Sequence, residues 1–172
     1  MKRPLLLIAL AILLFAPAIT YAQSAFTVTG LYRLYSPAVG EHFYTVDSNE
    51  AFALDRSGLY RLEGVEGNVY QQPFDGTVPL YRLYNKKANR HFYSTSAQEL
   101  NQVINQGFVL EGIIGYMAFS TYNPNGMSPH NFHRLYSPNA NDHFYTSNDD
   151  EMLALERGGT YLREGDMGYI YK

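Results

Sequence analysis

The chain has 172 residues, a formal net charge of −3 at pH 7, 46% hydrophobic residues and no cysteine. This length and composition fit one globular domain or a short repeat array. The acidic balance argues against nucleic acid as a partner, and the lack of cysteine excludes a disulfide framework and a cysteine nucleophile.

The N-terminal segment has the pattern of a secretory signal peptide. Lys2 and Arg3 precede an apolar run over residues 5–15, which small residues follow. The run is shorter than the ~20 apolar residues that span a bilayer, so we predict cleavage rather than anchoring. Residues 1–22 are thus the predicted signal peptide. Residues 23–172 are the predicted secreted or periplasmic domain, with no membrane contact and a formal charge lowered from −3 to −5 by the loss of the two cations.

Three similar rows follow, at about residues 30–70, 80–119 and 132–171. Each row opens with an arginine in "LYRLYS", "LYRLYN" or "FHRLYS", and a histidine stands nine residues later in "EHFYT", "RHFYS" or "DHFYT". The length variation is confined to two connectors that are rich in turn-forming residues. The rows therefore predict one supersecondary unit that occurs three times.

Each row predicts a hairpin and then a helix. Two aromatic-rich segments around a short polar turn are typical of a β-hairpin. An N-cap residue with glutamate three positions later then predicts a helix with a capping box, and a glycine sixteen residues after the histidine predicts its end. The cap and glutamate pairs are Asp47 and Glu50, Ser96 and Glu99, and Asn148 and Glu151. The helix-ending glycines are Gly58, Gly107 and Gly159.

A second strand pair is predicted after each helix, around a Gly-x-x-Gly turn. These turns are Gly64–Gly67, Gly112–Gly115 and Gly165–Gly168. The fold class is therefore mainly β (α+β), with three strand-strand-helix-strand-strand repeats. One repeat cannot bury both faces of its sheet, so we expect the three to close around a pseudo-threefold axis. A trefoil-like barrel and a three-bladed propeller both fit twelve short strands, and both remain open.

An arginine, a histidine and a glutamate recur in every row. The sets are Arg33, His42 and Glu63; Arg82, His91 and Glu111; and Arg134, His143 and Glu164. One interpretation is architectural, because arginine can fork onto glutamate and such a network fixes the strand register. Leaving one member of a buried pair without its partner costs about 3–5 kcal/mol. This interpretation makes the sets a structural polar network.

A second interpretation makes each histidine part of a ligand site lined by tyrosine. Tyr35, Tyr84 and Tyr136 end the first strands, and Tyr44, Tyr93 and Tyr145 follow the histidines by two residues and should face the same side. Tyrosine stacks on a sugar ring and hydrogen-bonds its hydroxyls. Three shallow sites would give avidity on a polymer. The predicted ligand-binding residues are these six tyrosines with His42, His91 and His143.

A third interpretation joins the three histidines in a metal site with an open fourth position. The sequence has no HExxH motif and no histidine pair at i, i+4, so we predict no metal and no cofactor. It also has no Gly-x-Ser-x-Gly elbow and no phosphate-binding glycine loop. The same polar set occurs in all three rows, whereas an active site usually has a single asymmetric arrangement of residues. The chain is therefore predicted not to be an enzyme.

The motifs "LYRLYS…EHFYT…LEGVEG", "LYRLYN…RHFYS…LEGIIG" and "FHRLYS…DHFYT…REGDMG" resemble an uncharacterised family of secreted bacterial and fungal proteins. Its repeats read approximately LYRLYN, GxHFYT, GW and YEG, and the resemblance covers about residues 30–172. Such repeats are often appended to cell-wall hydrolases such as lysozyme-like muramidases, which implies a wall-attaching module. Leu59, Phe108 and Thr160 stand where the family has tryptophan. If that tryptophan is a sugar platform in the family, the departure weakens glycan binding here; if it is a core residue, Leu59 and Phe108 replace it acceptably and Thr160 leaves the third row looser.

The predicted function is an exported non-catalytic module that binds polysaccharide or peptidoglycan glycan of the cell wall or surface. The alternative is a structural or protein-interaction scaffold of the cell envelope whose arginine, histidine and glutamate sets are purely internal.

Overall fold

The computed structural model describes residues 26–121 and 123–172, and the predicted signal peptide lies outside the described residues. The described chain is mainly β, as predicted, with nine strands in one sheet and three helices. Within these two ranges no helix is long and apolar enough to cross a membrane.

The elements fall into three consecutive units with the same order, strand-strand-helix-strand. Unit 1 comprises β1 (Val28–Ser36), β2 (Glu41–Thr45), α1 (Ser48–Arg56) and β3 (Arg61–Tyr70). Unit 2 comprises β4 (Thr77–Asn85), β5 (Arg90–Ser94), α2 (Ala97–Asn105) and β6 (Val109–Ala118). Unit 3 comprises β7 (Pro129–Ser137), β8 (Asp142–Thr146), α3 (Asp149–Arg157) and β9 (Leu162–Tyr171). The predicted hairpins are β1–β2, β4–β5 and β7–β8, all antiparallel.

The predicted second strand pair of each repeat is wrong, because each is one continuous ten-residue strand. In unit 1 the whole of β3 pairs antiparallel with β1, and the ladder has register shifts at Leu31/Tyr32 and at Arg33/Leu34. Gly64, with φ of 148°, lies opposite Arg33 between these shifts. Glycine accommodates a bulge as readily as a chain reversal, so Gly-x-x-Gly bends the strand here without ending it. The described residues thus form nine strands instead of twelve.

The predicted N-cap residues are confirmed. The second half of the capping box differs from the prediction, because a hydroxyl lies between the glutamate and the backbone N–H of the N-cap residue. Asp47 accepts a hydrogen bond from the backbone N–H of Asn49 at 2.8 Å. Its own N–H donates to Thr45 Oγ1 at 3.1 Å, and that hydroxyl donates to Glu50 at 2.5 Å. The same hydroxyl relay links Ser94 to Glu99 and Thr146 to Glu151. The hydroxyl of a threonine or serine therefore satisfies the backbone N–H of the N-cap residue. Each glutamate carboxylate can then accept further hydrogen bonds from another partner.

The core is shared by all three units. Strands β3, β6 and β9 pair with one another near their C-terminal ends, through Tyr70 and Tyr116, Asn68 and Tyr171, and Ala118 and Tyr169. The largest buried cluster takes residues from every unit, among them Leu31, Leu80 and Phe132.

Three tyrosines at the centre of this cluster, which we call the tyrosine ring, hydrogen-bond from unit to unit. They are Tyr44, Tyr93 and Tyr145, each about 1% exposed. Tyr93 donates its hydroxyl to the Tyr44 carbonyl at 2.9 Å and accepts from the Tyr44 N–H at 2.8 Å. Tyr145 does the same for Tyr93, and Tyr44 for Tyr145. Each hydroxyl thus satisfies two buried backbone groups of another unit.

Candidate functional site

The recurring arginines hold two units together. Within each unit the arginine Nε lies 2.7–2.8 Å from the glutamate that the sequence predicted as its partner. A terminal guanidinium nitrogen of the same arginine lies 2.8 Å from the capping glutamate of another unit. These inter-unit pairs are Arg33 with Glu151, Arg82 with Glu50, and Arg134 with Glu99. The predicted arginine–glutamate pairing is therefore confirmed in all three sets, and a second carboxylate joins each.

The contact with arginine lowers the pKa of the second carboxylate. Burial tends to raise the pKa of Glu50, but the hydrogen bonds from Arg82 and Thr45 outweigh it and hold the pKa below its usual value. The pKa values of Glu99 and Glu151 are lowered in the same way. Arg134 and Ser94 bond Glu99, and Arg33 and Thr146 bond Glu151. All three carboxylates are consequently held in the charged form that the arginines need.

The first two histidines are bonded across unit boundaries to buried carboxylates. His42 Nδ1 lies 2.7 Å from Asp142 of unit 3, and His91 Nδ1 lies 2.8 Å from Glu41 of unit 1. The two histidine side chains are only 12–13% exposed. Their Nε2 atoms lie 4.0 and 3.7 Å from the glutamates of their own units, too far for a direct hydrogen bond. The geometry at these two boundaries therefore matches the architectural interpretation.

A tyrosine completes each of these carboxylate sites. Tyr60 donates its hydroxyl to Glu41 at 2.6 Å, and Tyr161 donates to Asp142 at 3.1 Å. The backbone N–H of His91 also donates to Glu41, at 2.6 Å. Each carboxylate thus accepts from an imidazole, a backbone amide and a phenol.

The boundary between units 2 and 3 is built differently, because Arg90 stands where the other units have Glu41 and Asp142. The Arg90 guanidinium donates to four backbone carbonyls in the hairpin turns, those of Val39, Asn89, Ala140 and Asn141. Phe108, without a hydroxyl, takes the place of the two tyrosines. Among the described residues no carboxylate lies within hydrogen-bonding distance of His143 Nδ1, while Nε2 is 3.5 Å from Glu164. Burial, followed by the charge of Arg134, lowers the pKa of His143 to about 4.

A cavity of about 310 Å³, which we call the interface cavity, opens at this boundary. Its lining includes Asn85, Arg90, Gln106, Phe108, Tyr136 and His143. The Tyr136 ring lies against the His143 ring with centroids 4.6 Å apart and an interplanar angle of 33°. The cavity therefore combines an aromatic wall, the side-chain amide of Gln106 and a guanidinium.

A polar cleft of about 370 Å³, the Arg134 cleft, lies beside the interface cavity. Its lining includes Ser96, Glu99, Gln102, Arg134, Glu164 and Asp166. Glu164 lines both spaces, so the two form adjoining parts of one polar surface between units 2 and 3.

The predicted tyrosines divide into two groups. Tyr44, Tyr93 and Tyr145 form the buried tyrosine ring, so the prediction that they line a ligand site is wrong: they do face the side of the histidines, but the other units cover that side. Tyr35, Tyr84 and Tyr136 are partly buried and lie against His42, His91 and His143 with ring centroids 4.6–4.8 Å apart. Only this second group remains available to a ligand, and only Tyr136 lines the interface cavity.

Sequence reasoning missed several residues of unit 3 and its boundaries. His133 is buried between two carboxylates, with Nδ1 2.6 Å from Asp166 and Nε2 2.7 Å from Asp149. Glu66, 8% exposed, lies 2.8 Å from Arg33 and accepts from the Ser147 N–H. The only sequence signal was that these positions depart from the other rows, as Arg90 does in "RHFYS" beside "EHFYT" and "DHFYT". In the part of the chain that the structure describes, no group of three or more histidine and acidic residues is placed to hold a metal ion.

A family model described as "Domain of unknown function (DUF5648)" matches the chain over residues 16–118 and 116–172. The two matches meet at the end of β6, between units 2 and 3. No curated protein matches the chain significantly, and neither does any solved structure.

Proposed function

We propose that this protein, which belongs to the DUF5648 family of domains of unknown function, is an exported, non-catalytic module that binds glycan of the cell wall or cell surface. The interface cavity is the observation that carries the proposal. It places a partly buried tyrosine, Tyr136, beside the exposed Gln106 side chain and the Arg90 guanidinium. Sugar sites need this combination, an apolar ring face with hydrogen-bonding groups around it.

A finer account of the fold belongs to this proposal: the three units close around a pseudo-threefold axis. Three sets of contacts that run in one direction from unit to unit support it, namely the tyrosine ring, the arginine–glutamate pairs and the mutual pairing of β3, β6 and β9. Closure covers the free edges of β2, β5 and β8, each of which pairs with one other strand and has backbone groups bonded by the tyrosine ring. In this arrangement the boundary between units 2 and 3 is the asymmetric one, and it holds the binding site.

The resemblance to repeats that accompany cell-wall hydrolases supports a wall glycan as the ligand. A sugar polymer can extend from the interface cavity along the Arg134 cleft, where hydroxyl, amide and charged groups line the surface. Export through the predicted signal peptide would bring the module to that ligand.

Retention on purified wall material and on a panel of polysaccharides tests the proposal. We expect Tyr136→Ala to abolish retention, because it removes the aromatic wall of the cavity. Tyr35→Ala is the matched control, since Tyr35 has the same ring contact but lies at a boundary filled by Asp142. Equal retention of the two variants, or no retention of the wild-type protein above a tyrosine-poor control protein, would contradict the proposal.

The second candidate is a cell-envelope scaffold, and the two filled boundaries favour it. There His42 and His91 are bonded to Asp142 and Glu41, so those sets are internal. Under this alternative no variant of the interface cavity changes retention, and His42→Ala lowers only the melting temperature. Zymography on wall material tests separately for a hydrolase, and cleared zones would contradict the non-catalytic role.

A further inference from the structure

We propose that the interface cavity binds a carboxylate group, supplied by an acidic sugar residue, in the position that a carboxylate of the chain itself takes at the other two boundaries. This inference rests on the proposed glycan-binding function and specifies its ligand. It follows from a comparison of the three boundaries, which share their strand register and differ in a few side chains.

The two filled boundaries show how the fold receives a carboxylate. At one of them Glu41 accepts from His91 Nδ1 at 2.8 Å, from the His91 backbone N–H at 2.6 Å and from the Tyr60 hydroxyl at 2.6 Å. At the other, Asp142 accepts from His42 Nδ1 at 2.7 Å and from the His42 N–H at 3.3 Å. Both carboxylates are almost fully buried, at 1% and 2% exposure. The backbone amide and the imidazole of the histidine are therefore the constant part of the receptor.

The boundary between units 2 and 3 also has this backbone amide and imidazole, which belong to His143. His143 pairs with Tyr136 in the same register in which His42 pairs with Tyr35, so its amide points to the same side of the hairpin. The His143 ring is also held alike, between Tyr136 and Phe92, with centroids 4.6 and 4.8 Å away. The amide and Nδ1 of His143 thus lie where they would donate to a carboxylate, while the chain places none there.

Arg90 places a positive charge at this boundary, where the other two boundaries have a carboxylate, and this makes the boundary an anion site. Its guanidinium is bonded only to neutral carbonyl oxygens among the described residues, so its charge is not matched by a bound carboxylate. Glu164 is the acidic group that lines the cavity, and it is paired with Arg134 at 2.8 Å. The charge available to an incoming ligand is therefore positive, which favours a carboxylate over a neutral group.

The size and walls of the cavity indicate a sugar acid as the carrier of that carboxylate. A volume of about 310 Å³ lies at the lower end of small-ligand sites, which hold about 300–1,000 Å³. Tyr136 gives an aromatic wall for a pyranose, and the exposed Gln106 side chain gives an amide for its hydroxyls. A simple carboxylic acid would use the anion site alone, so a uronic acid should bind more tightly.

Calorimetric titration of the purified protein with glucuronate, glucose and propionate tests the inference. We expect glucuronate to bind at least tenfold more tightly than either of the others. Arg90→Gln should weaken glucuronate binding at least tenfold, whereas Lys87→Gln, at an exposed site in the same hairpin turn, should leave it within twofold. Phe108→Tyr should strengthen it by about two- to tenfold, because it supplies the phenol that Tyr60 supplies to Glu41 and one hydrogen bond contributes about 0.5–1.5 kcal/mol. Thermal melting of each variant confirms that it is folded.

Four results of the titrations would overturn the inference. They are equal binding of glucose and glucuronate, equal binding of propionate and glucuronate, equal effects of Arg90→Gln and Lys87→Gln, and unchanged or weaker binding by Phe108→Tyr. Wall retention that survives in Arg90→Gln would remove the carboxylate site and leave the glycan-binding proposal intact. Glucuronate binding without any wall or polysaccharide retention would support the carboxylate site and remove the wider proposal.

Discussion

The tyrosine ring allows a stability prediction whose magnitude follows from two hydrogen bonds. Tyr93→Phe removes only the hydroxyl, and the phenylalanine ring fills the same space, so no cavity forms. The hydroxyl serves both the N–H and the carbonyl of Tyr44, at 2.8 and 2.9 Å, in a site that is about 1% exposed. The variant therefore leaves two buried backbone groups of unit 1 without a partner.

Each such group costs about 1–3 kcal/mol, so we expect Tyr93→Phe to lower the free energy of unfolding by about 2–6 kcal/mol. This is a large share of the roughly 5–15 kcal/mol that stabilises a typical domain. At about 2–4 °C per kcal/mol for a domain of this size, a loss of about 4 kcal/mol corresponds to a drop of roughly 8–16 °C in Tm.

Differential scanning calorimetry and urea denaturation measure both quantities. Tyr35→Phe is the matched control, because the partly buried Tyr35 hydroxyl makes no hydrogen bond within residues 26–121 and 123–172, and its loss should change stability by less than about 0.5 kcal/mol. Tyr44→Phe and Tyr145→Phe should cost about as much as Tyr93→Phe, since their hydroxyls make the same pair of bonds. If Tyr93→Phe melted within about 2 °C of the Tyr35→Phe control, the ring would not satisfy the backbone as described.

Three further predictions concern the unit boundaries. Glu66→Gln should lower the free energy of unfolding by about 1–3 kcal/mol, because Arg33 loses a buried charged partner at 2.8 Å; an unchanged urea midpoint would contradict this. Gly168→Ala should cost more in the same assay than Gly165→Ala, since a Cβ at Gly168 would lie 2.7 Å from the Ala118 carbonyl oxygen whereas Gly165 faces open space at a similarly positive φ; equal losses would refute the steric argument. The three capping glutamates have folded-state pKa values below the usual 4.5, so their contribution to stability is present above about pH 4.5 and is lost as the pH falls through the lowered values; a Tm that stays constant from pH 5 to pH 2 would contradict it. These glutamates are Glu50, Glu99 and Glu151.

The elements that depend on neighbours in the chain were the ones that the sequence predicted well. The helix N-caps at Asp47, Ser96 and Asn148 are confirmed. The helix-ending glycines are confirmed as well, because all three have the expected positive φ just after their helices. Gly-x-x-Gly was misjudged because the same permissive backbone serves a turn or a bulge, and only the partner strand decides between them.

The site was less predictable, because its contacts join distant parts of the chain. A period of two places Tyr44 and His42 on one face of β2, but the pattern does not say what covers that face. The cover is Tyr93 and Tyr145, which lie 49 and 101 residues away in sequence. His143 and His42 also look equivalent in their motifs, but Asp142 bonds His42 from another unit, whereas the position that corresponds to Asp142 at the boundary of His143 is occupied by Arg90.

The tyrosine ring makes each unit depend on the other two for its buried hydrogen bonds. Every hydroxyl serves the backbone of another unit and none serves its own strand, so an isolated unit would expose an unmatched donor and acceptor on one side and an unused phenol on the other. A single unit could regain these hydrogen bonds only by associating with other copies of itself, and all boundaries between such copies would have the same side chains. With the three units in one polypeptide, one boundary can differ from the others, and here Arg90 occupies the position that Glu41 and Asp142 take in the other two units.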